Sequence, residues 1–184
     1  MRRVLAVSLA FLALAACTHG DPRENGGVAE VERPMPTLTD IDTLSGAPLQ
    51  KNLLSGPVTV VNVWATWCEP CRQEQTAIQA VQARYEPRGV RFLGINYNDD
   101  REAAERWVDD FAVTYPSLYD PDGRTAALLG FPFLPDTYVA DAGGTIKFVV
   151  YGQTDAAELS GLIDRLMPDE GGATSPAPGA AVGY

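Results

Sequence analysis

The chain has 184 residues, a formal net charge of −10, and 46% hydrophobic and 21% charged residues. This length favours one domain, and the composition is that of a globular protein rather than a disordered or multispan membrane protein. Because 24 acidic side chains outnumber 14 basic ones, nucleic acid is disfavoured as a partner. A single histidine and three cysteines exclude a multi-histidine metal site, a four-cysteine zinc site and a disulfide-stapled miniprotein, so we expect no metal.

The first residues are typical of an export signal. Two arginines precede an apolar stretch at positions 4–14, which is too short to span a bilayer as a permanent helix. The stretch leads into Leu14-Ala15-Ala16-Cys17, which resembles the lipobox of bacterial lipoproteins, in which the cysteine becomes the acylated N-terminus. We therefore expect a lipoprotein signal peptide at 1–16 and a lipid on Cys17 that holds the protein on the extracytoplasmic face of a bacterial membrane. An ordinary signal peptide with an incidental cysteine is the alternative.

Two segments have the composition of flexible chain. Residues 17–36 combine several glycines and prolines with scattered charges, which predicts a flexible tether. Residues 168–184 consist mainly of alanine, glycine and proline, which predicts a disordered tail. The folded domain is therefore expected at 37–167.

Within that domain the hydrophobic pattern alternates between strand and helix. A β-branched run at 58–64 predicts a strand buried on both faces, and a helical stripe follows Pro70. The later predicted elements are a strand at 90–96, a helix at 104–111, a hairpin of strands at 137–140 and 146–151, and a helix at 159–166. Strands joined by helices indicate an α/β fold with a parallel sheet, to which the hairpin adds an antiparallel edge.

Two cysteines separated by two residues form the strongest chemical signal. Cys68 and Cys71 lie where the buried strand turns into a helix, and a helix N-terminus stabilises a thiolate on Cys68. Cys71, one turn later, is close enough to attack a mixed disulfide on Cys68. A structural disulfide, half of a zinc site and inert core cysteines are the alternatives. A disulfide across a three-residue step removes little conformational entropy from the unfolded chain, so it stabilises a fold poorly.

The sequence around these cysteines resembles a known family. Val61–Cys71 is similar to the active-site segment of the TlpA/ResA-like branch of the thioredoxin superfamily, and Gly130–Tyr138 resembles the segment that carries the family's cis-proline. A helix around 103–112 resembles the insertion of this branch. The resemblance implies a thioredoxin-like fold, with a central mixed sheet, flanking helices and an inserted helix.

The resemblance also implies roles for individual residues. Pro135 aligns with the cis-proline, which would bring the Leu134 backbone beside Cys68 to pair with an incoming peptide, and Glu74 aligns with a buried catalytic glutamate. The residues expected to contact substrate beside Leu134 are Trp67, as part of an exposed lip, Glu69 and Pro70. Thr76, Pro132 and Asp136 depart from the family's usual residues at their positions.

These features predict a membrane-tethered thiol–disulfide oxidoreductase that reduces exported proteins. The resemblance implies apocytochrome c thiols among its substrates, a membrane thiol transporter as electron donor, and no cofactor beyond the redox-active Cys68–Cys71 disulfide. We expect a monomer. A dithiol oxidase, a thiol peroxidase and a tethered binding module are the alternatives, although Ala65 occupies a position where peroxidatic cysteines need a threonine.

Overall fold

A computed structural model of the chain describes residues 21–38, 41–49 and 54–168. The signal peptide, Cys17 and all but the first residue of the predicted tail lie outside these ranges. The elements in chain order are α1 (Pro22–Asn25), β1 (Gly27–Pro34), β2 (Val58–Trp64), α2 (Glu69–Tyr85), a 3₁₀ turn (Glu86–Arg88), β3 (Arg91–Tyr97), α3 (Arg101–Asp110), β4 (Ser117–Asp120), α4 (Arg124–Leu128), β5 (Asp136–Asp141), β6 (Thr145–Tyr151) and α5 (Ala156–Asp164).

The strands form one mixed six-stranded sheet in the order β1-β6-β5-β2-β3-β4. Strands β2, β3 and β4 are parallel, whereas β5 pairs antiparallel with both β2 and β6. All seven residues of β2 are buried, because this strand lies in the interior of the sheet with side chains packed on both faces. The mixed sheet with its C-terminal hairpin is the architecture that the sequence predicted.

The N-terminal segment differs from the prediction of a flexible tether. Residues 27–34 form β1, which pairs antiparallel with β6 in a register that places Ala29 opposite Val149. The prediction was wrong here because it was based on the glycine and proline content of the segment. The alternation of half-buried Val31 with exposed Glu30 and Glu32 is typical of an edge strand. The folded domain therefore begins before Thr37.

The sequence analysis also missed β4 and α4. Strand β4 has four residues and α4 has five, so neither is long enough to show a clear period. Their side chains are nevertheless part of the core, since Leu118 and Ala126 are fully buried. The segment 129–135 leads from α4 into β5, and residues 131–134 form one wall of the site described below.

Three apolar clusters hold the layers together. One lies between the sheet and helices α2 and α5, and includes Ile78, Tyr85 and Leu159. A second packs on the opposite face of the sheet. The third joins the end of β2 to α3 through Trp64 and Trp107, whose rings stack at a centroid distance of 5.3 Å. Both cysteines of the predicted redox pair belong to this third cluster.

Candidate active site

The first turn of α2 carries the two cysteines. Cys68 is the N-cap residue of this 17-residue helix, and its Sγ accepts a hydrogen bond from the Cys71 backbone N–H at 3.2 Å. The two side chains form a disulfide, and Cys68 retains 5% of its surface whereas Cys71 retains 1%. In the reduced state the same N–H group and the helix macrodipole would stabilise negative charge on the Cys68 sulfur.

A groove opens beside this disulfide. The peptide bond between Leu134 and Pro135 is cis, as the resemblance implied. The loop before it forms one wall of a groove of about 430 Å³, and the first turn of α2 forms the other wall. The lining residues are Trp67, Cys68, Glu69, Pro70, Tyr97, Phe131, Pro132, Phe133 and Leu134. The structure thus brings the four predicted substrate contacts together around Cys68.

Aromatic side chains make up much of the lining of this groove. Trp67 is 58% exposed, as expected of a lip residue, and Phe133 on the opposite wall is 36% exposed. Sequence analysis missed Tyr97, Phe131 and Phe133 as lining residues. The alternation of phenylalanine and proline before the cis-proline was the available signal for Phe131 and Phe133. Tyr97 lies at the C-terminal end of β3, which is far from the cis-proline in sequence.

Glu74 is buried one turn after Cys71, with 1% of its surface exposed. Its carboxylate accepts hydrogen bonds from Asn62 Nδ2 and from the Thr154 backbone N–H, both at 2.9 Å. Burial raises the pKa of Glu74 from 4.5 to about 7, and the two hydrogen bonds oppose part of that rise. This group can therefore hold or release a proton near neutral pH.

Asp136 is a second buried acid, which the sequence analysis noted only as a departure from the family pattern. It directly follows Pro135, has no exposed surface, and accepts a hydrogen bond from the Tyr138 hydroxyl at 3.2 Å. Burial raises the pKa of Asp136 to about 7, and the charge of Glu74 contributes to the rise. Nothing in the local sequence distinguishes this residue from an ordinary aspartate at the start of a strand.

Neither a metal cluster nor a spanning helix is found in the described part of the chain. Within those residues, no three His, Cys, Asp or Glu side chains come together as metal ligands. No helix there combines the length and apolar character needed to cross a bilayer.

Comparison with known proteins identifies the family. The AhpC/TSA family matches residues 31–149. The chain belongs to this family. Over 155 residues it is 36% identical to the thiol:disulfide interchange protein DsbE of Allochromatium vinosum, covering 79% of this chain and 82% of that one. It is also 27% identical over 122 residues to the thiol-disulfide oxidoreductase ResA of Oceanobacillus iheyensis, covering 66% and 64% of the two chains.

A solved structure supports the same assignment for this AhpC/TSA member. A secreted Mycobacterium tuberculosis disulfide oxidoreductase, described as homologous to Escherichia coli DsbE, superposes with a TM-score of 0.62 at 31% identity, over 68% of this chain and 93% of that one. The fold is thioredoxin-like, and the protein is a thiol–disulfide oxidoreductase. The enzyme class and the resemblance to ResA that the sequence predicted are confirmed.

Proposed function

We propose that this oxidoreductase reduces disulfides of exported proteins by dithiol–disulfide exchange at Cys68 and Cys71. The observation that supports the proposal best is the placement of Cys68, which lies at the N-terminus of α2 and lines the groove shared with Leu134. A nucleophile there is stabilised as a thiolate and can meet a disulfide that enters the groove.

The exchange proceeds in two steps. The Cys68 thiolate attacks one sulfur of the substrate disulfide, forms a mixed disulfide and releases the other substrate sulfur as a thiolate. Cys71, deprotonated in its turn, attacks Cys68 Sγ and releases the second substrate sulfur. Two electrons pass to the substrate, and the enzyme is left with the Cys68–Cys71 disulfide, which a thiol donor in the membrane then reduces.

The groove residues bind the substrate in this proposal. The Leu134 backbone, held beside Cys68 by the cis bond to Pro135, pairs with an extended segment of the substrate. Trp67 and Pro70 offer apolar contact area on one side of the entering disulfide. Glu74 exchanges a proton with Cys71 during the second step, because its raised pKa lies near neutrality.

Glu69 supports the reductive direction. Its exposed carboxylate, directly beside Cys68, disfavours the thiolate and so favours the disulfide form of the enzyme. A dithiol whose disulfide is favoured donates electrons readily. As substrates we propose disulfide-containing exported proteins, including apocytochrome c, acted on by a monomer that the lipid on Cys17 tethers to the extracytoplasmic face of a bacterial membrane.

The reduction potential of the Cys68–Cys71 pair tests this direction. Equilibration of the purified protein against dithiothreitol buffers should give a value below about −220 mV, in the range of reductants such as thioredoxin. A Glu69→Gln variant should have a higher potential. A Glu102→Gln variant, on the exposed side of α3, changes the net charge in the same direction and serves as the control. A wild-type value near −120 mV would contradict a reductase and favour a dithiol oxidase.

A further inference from the structure

The residues directly before Cys68, positions 65–67, form a lip that is held by the loop between β3 and α3. The Thr66 backbone N–H donates to Asp99 Oδ2 at 2.6 Å, and the Thr66 hydroxyl donates to Asp99 Oδ1 at 2.7 Å. The Trp67 indole Nε1–H donates to the Asn98 carbonyl at 3.0 Å. The lip is therefore bonded to a segment more than thirty residues later in the chain.

Asp99 is itself fixed in place. Asn96 Nδ2 donates to Asp99 Oδ2 at 2.8 Å, and the Asp100 backbone N–H donates to Asp99 Oδ1 at 2.9 Å. With the two bonds from Thr66, the carboxylate accepts four hydrogen bonds, which fills its lone-pair sites. Asn98 has a φ of +43°, in the left-handed region where asparagine is among the few tolerated residues. Hydrogen bonds to the Asp99 carboxylate thus hold this loop in place.

The lip is connected to the nucleophile. The Cys68 backbone N–H donates to the Ala65 carbonyl at 3.2 Å, so residues 65–68 form one turn that enters α2. Trp67 projects from this turn with 58% of its surface exposed. An exposed side chain that must be ordered during docking lowers affinity, because each immobilised side chain loses conformational entropy. A bond that orders the lip before docking removes that cost.

We propose that Asp99 is a positioning residue, which holds the lip at positions 65–67 so that Trp67 and Cys68 present one ordered surface to a disulfide-containing protein segment. This inference rests on the proposed function, since it assumes that Cys68 reacts in the groove. Asp99 does not itself line that groove. Its effect is transmitted through Thr66 and the adjoining turn.

The test compares Asp99→Ala with Asp100→Ala in the full-length protein. Asp100 is the neighbouring side chain, and it caps α3 by accepting from the Ala103 N–H at 2.9 Å without contacting the lip. Each reduced variant is mixed with a synthetic peptide that carries one internal disulfide, in single turnovers over a range of peptide concentrations. We expect Asp99→Ala to raise the half-saturating concentration about tenfold with a limiting rate within about twofold of wild type. Asp100→Ala should change neither quantity beyond about twofold.

Two further variants keep the test decisive if Asp99→Ala folds poorly. Asp99→Asn retains an oxygen for Thr66 and Asn96, so it should restore half-saturation to within about threefold of wild type. Thr66→Val removes only the hydroxyl donor and should produce a smaller rise in the same direction. Equal effects of Asp99→Ala and Asp100→Ala would overturn the proposal, because they would indicate general destabilisation of the loop.

Fluorescence gives a readout that does not depend on catalysis. Trp64 and Trp107 are 2% and 3% exposed, so acrylamide quenching of the protein reports mainly on Trp67. Asp99→Ala should increase the quenching constant, whereas Asp100→Ala should leave it unchanged. Unchanged quenching in Asp99→Ala would refute the positioning role even if the wild type is active. If the wild type fails to reduce the peptide, the proposed function is wrong, and the quenching result still decides the role of Asp99.

Discussion

The two cysteines lie one helical turn apart but have different surroundings. Cys68 lines the groove, whereas Cys71 is enclosed beneath it with 1% of its surface exposed. Only a sulfur that meets the substrate can form the first mixed disulfide, so this asymmetry assigns attack to Cys68 and resolution to Cys71 in the proposed mechanism.

Substitution of each cysteine tests that assignment. Cys71→Ser should accumulate mixed disulfides with partner proteins in the native host, because no second thiol can resolve them, and Cys68→Ser should accumulate none. Non-reducing electrophoresis followed by mass spectrometry of the trapped partners provides the measurement. Trapping by Cys68→Ser instead of Cys71→Ser would reverse the two roles.

Two of the buried carboxyl groups are Glu74, which lies three residues after Cys71, and Asp136, which directly follows the cis-proline. Desolvation disfavours the ionised form of each, so the folded protein keeps protons that the unfolded chain has already lost between about pH 4.5 and about pH 7. Stability must therefore fall as the pH rises through this interval. Such groups are retained at a cost in stability, which is common at functional sites.

Glu74→Gln should remove part of this pH dependence. The glutamine stays neutral, so the loss of unfolding free energy between about pH 4.5 and about pH 7, on the order of 3 kcal/mol for Glu74, should disappear. Urea unfolding at several pH values provides the measurement. Some slope should remain, because the Asp136 carboxyl also has a pKa raised to about 7.

The control for this prediction is Glu69→Gln, since Glu69 lies on the same helix but is exposed. Glu74→Gln should also lower the apparent thiol pKa values of the reduced protein, because one nearby negative charge is absent. Alkylation rates measured from about pH 6 to about pH 9 report those values. If the unfolding profile matches that of Glu69→Gln and the thiol titration matches that of the wild type, Glu74 does not tune this site.

At the scale of elements, β1 is hydrogen-bonded to the segment that leads into one wall of the proposed substrate groove. Arg33 on this strand donates from Nη2 to the Leu129 carbonyl at 2.5 Å, and its guanidinium lies 5.5 Å from the centre of the Tyr138 ring. Leu129 is the C-cap of α4 and directly precedes the loop that ends in the cis-proline. The edge strand is thus connected to one wall of the groove.

Arg33→Met should loosen that wall. The methionine keeps an apolar stem but leaves the Leu129 carbonyl without this donor, so we expect a loss of about 2 kcal/mol in unfolding free energy. Cleavage within residues 130–134 by a protease should become faster, which limited proteolysis with mass spectrometry can measure. Lys147→Met, which removes an exposed ion pair with Glu32 on the same strand pair, is the control and should change neither property appreciably. Equal cleavage in the two variants would contradict the support role.

At the scale of the whole molecule, the proposed anchor and the proposed redox pair lie in different parts of the sequence. Cys17 precedes the described residues, whereas Cys68 and Cys71 lie at the N-terminus of α2. In the proposed mechanism, the residues that carry out the exchange all lie in the domain. The proposed lipid determines where that chemistry takes place.

Cys17→Ser should separate these two properties. In a bacterial host that acylates lipoproteins, labelled palmitate should mark the wild type but not the variant, and the variant should leave the membrane fraction. The thermal unfolding midpoint and the reduction potential should remain unchanged, because Cys17 precedes the folded domain. Wild-type protein recovered without label would contradict the lipoprotein assignment.

Local patterns in the sequence were sufficient to predict several parts of this protein. The β-branched run of β2, the switch to helical periodicity at Pro70 and the hairpin of β5 and β6 each depend on neighbouring residues, and all are present in the structure. The Cys68–Cys71 spacing predicted a thiol–disulfide oxidoreductase in the same way, since the two residues lie within one helical turn, and the comparisons confirm that enzyme class.

Other features depended on contacts between distant segments. Strand β1 is stabilised by pairing with β6, more than a hundred residues later, and Asp99 meets Thr66 across thirty-three residues. The burial of Asp136 likewise depends on the sheet that surrounds it. Hydrophobic periodicity reports which face of an element is buried, but not which distant segment covers it or what desolvation a polar group experiences there. The sequence alone therefore determined the reaction chemistry, whereas only the tertiary structure decided which groups surround and position it.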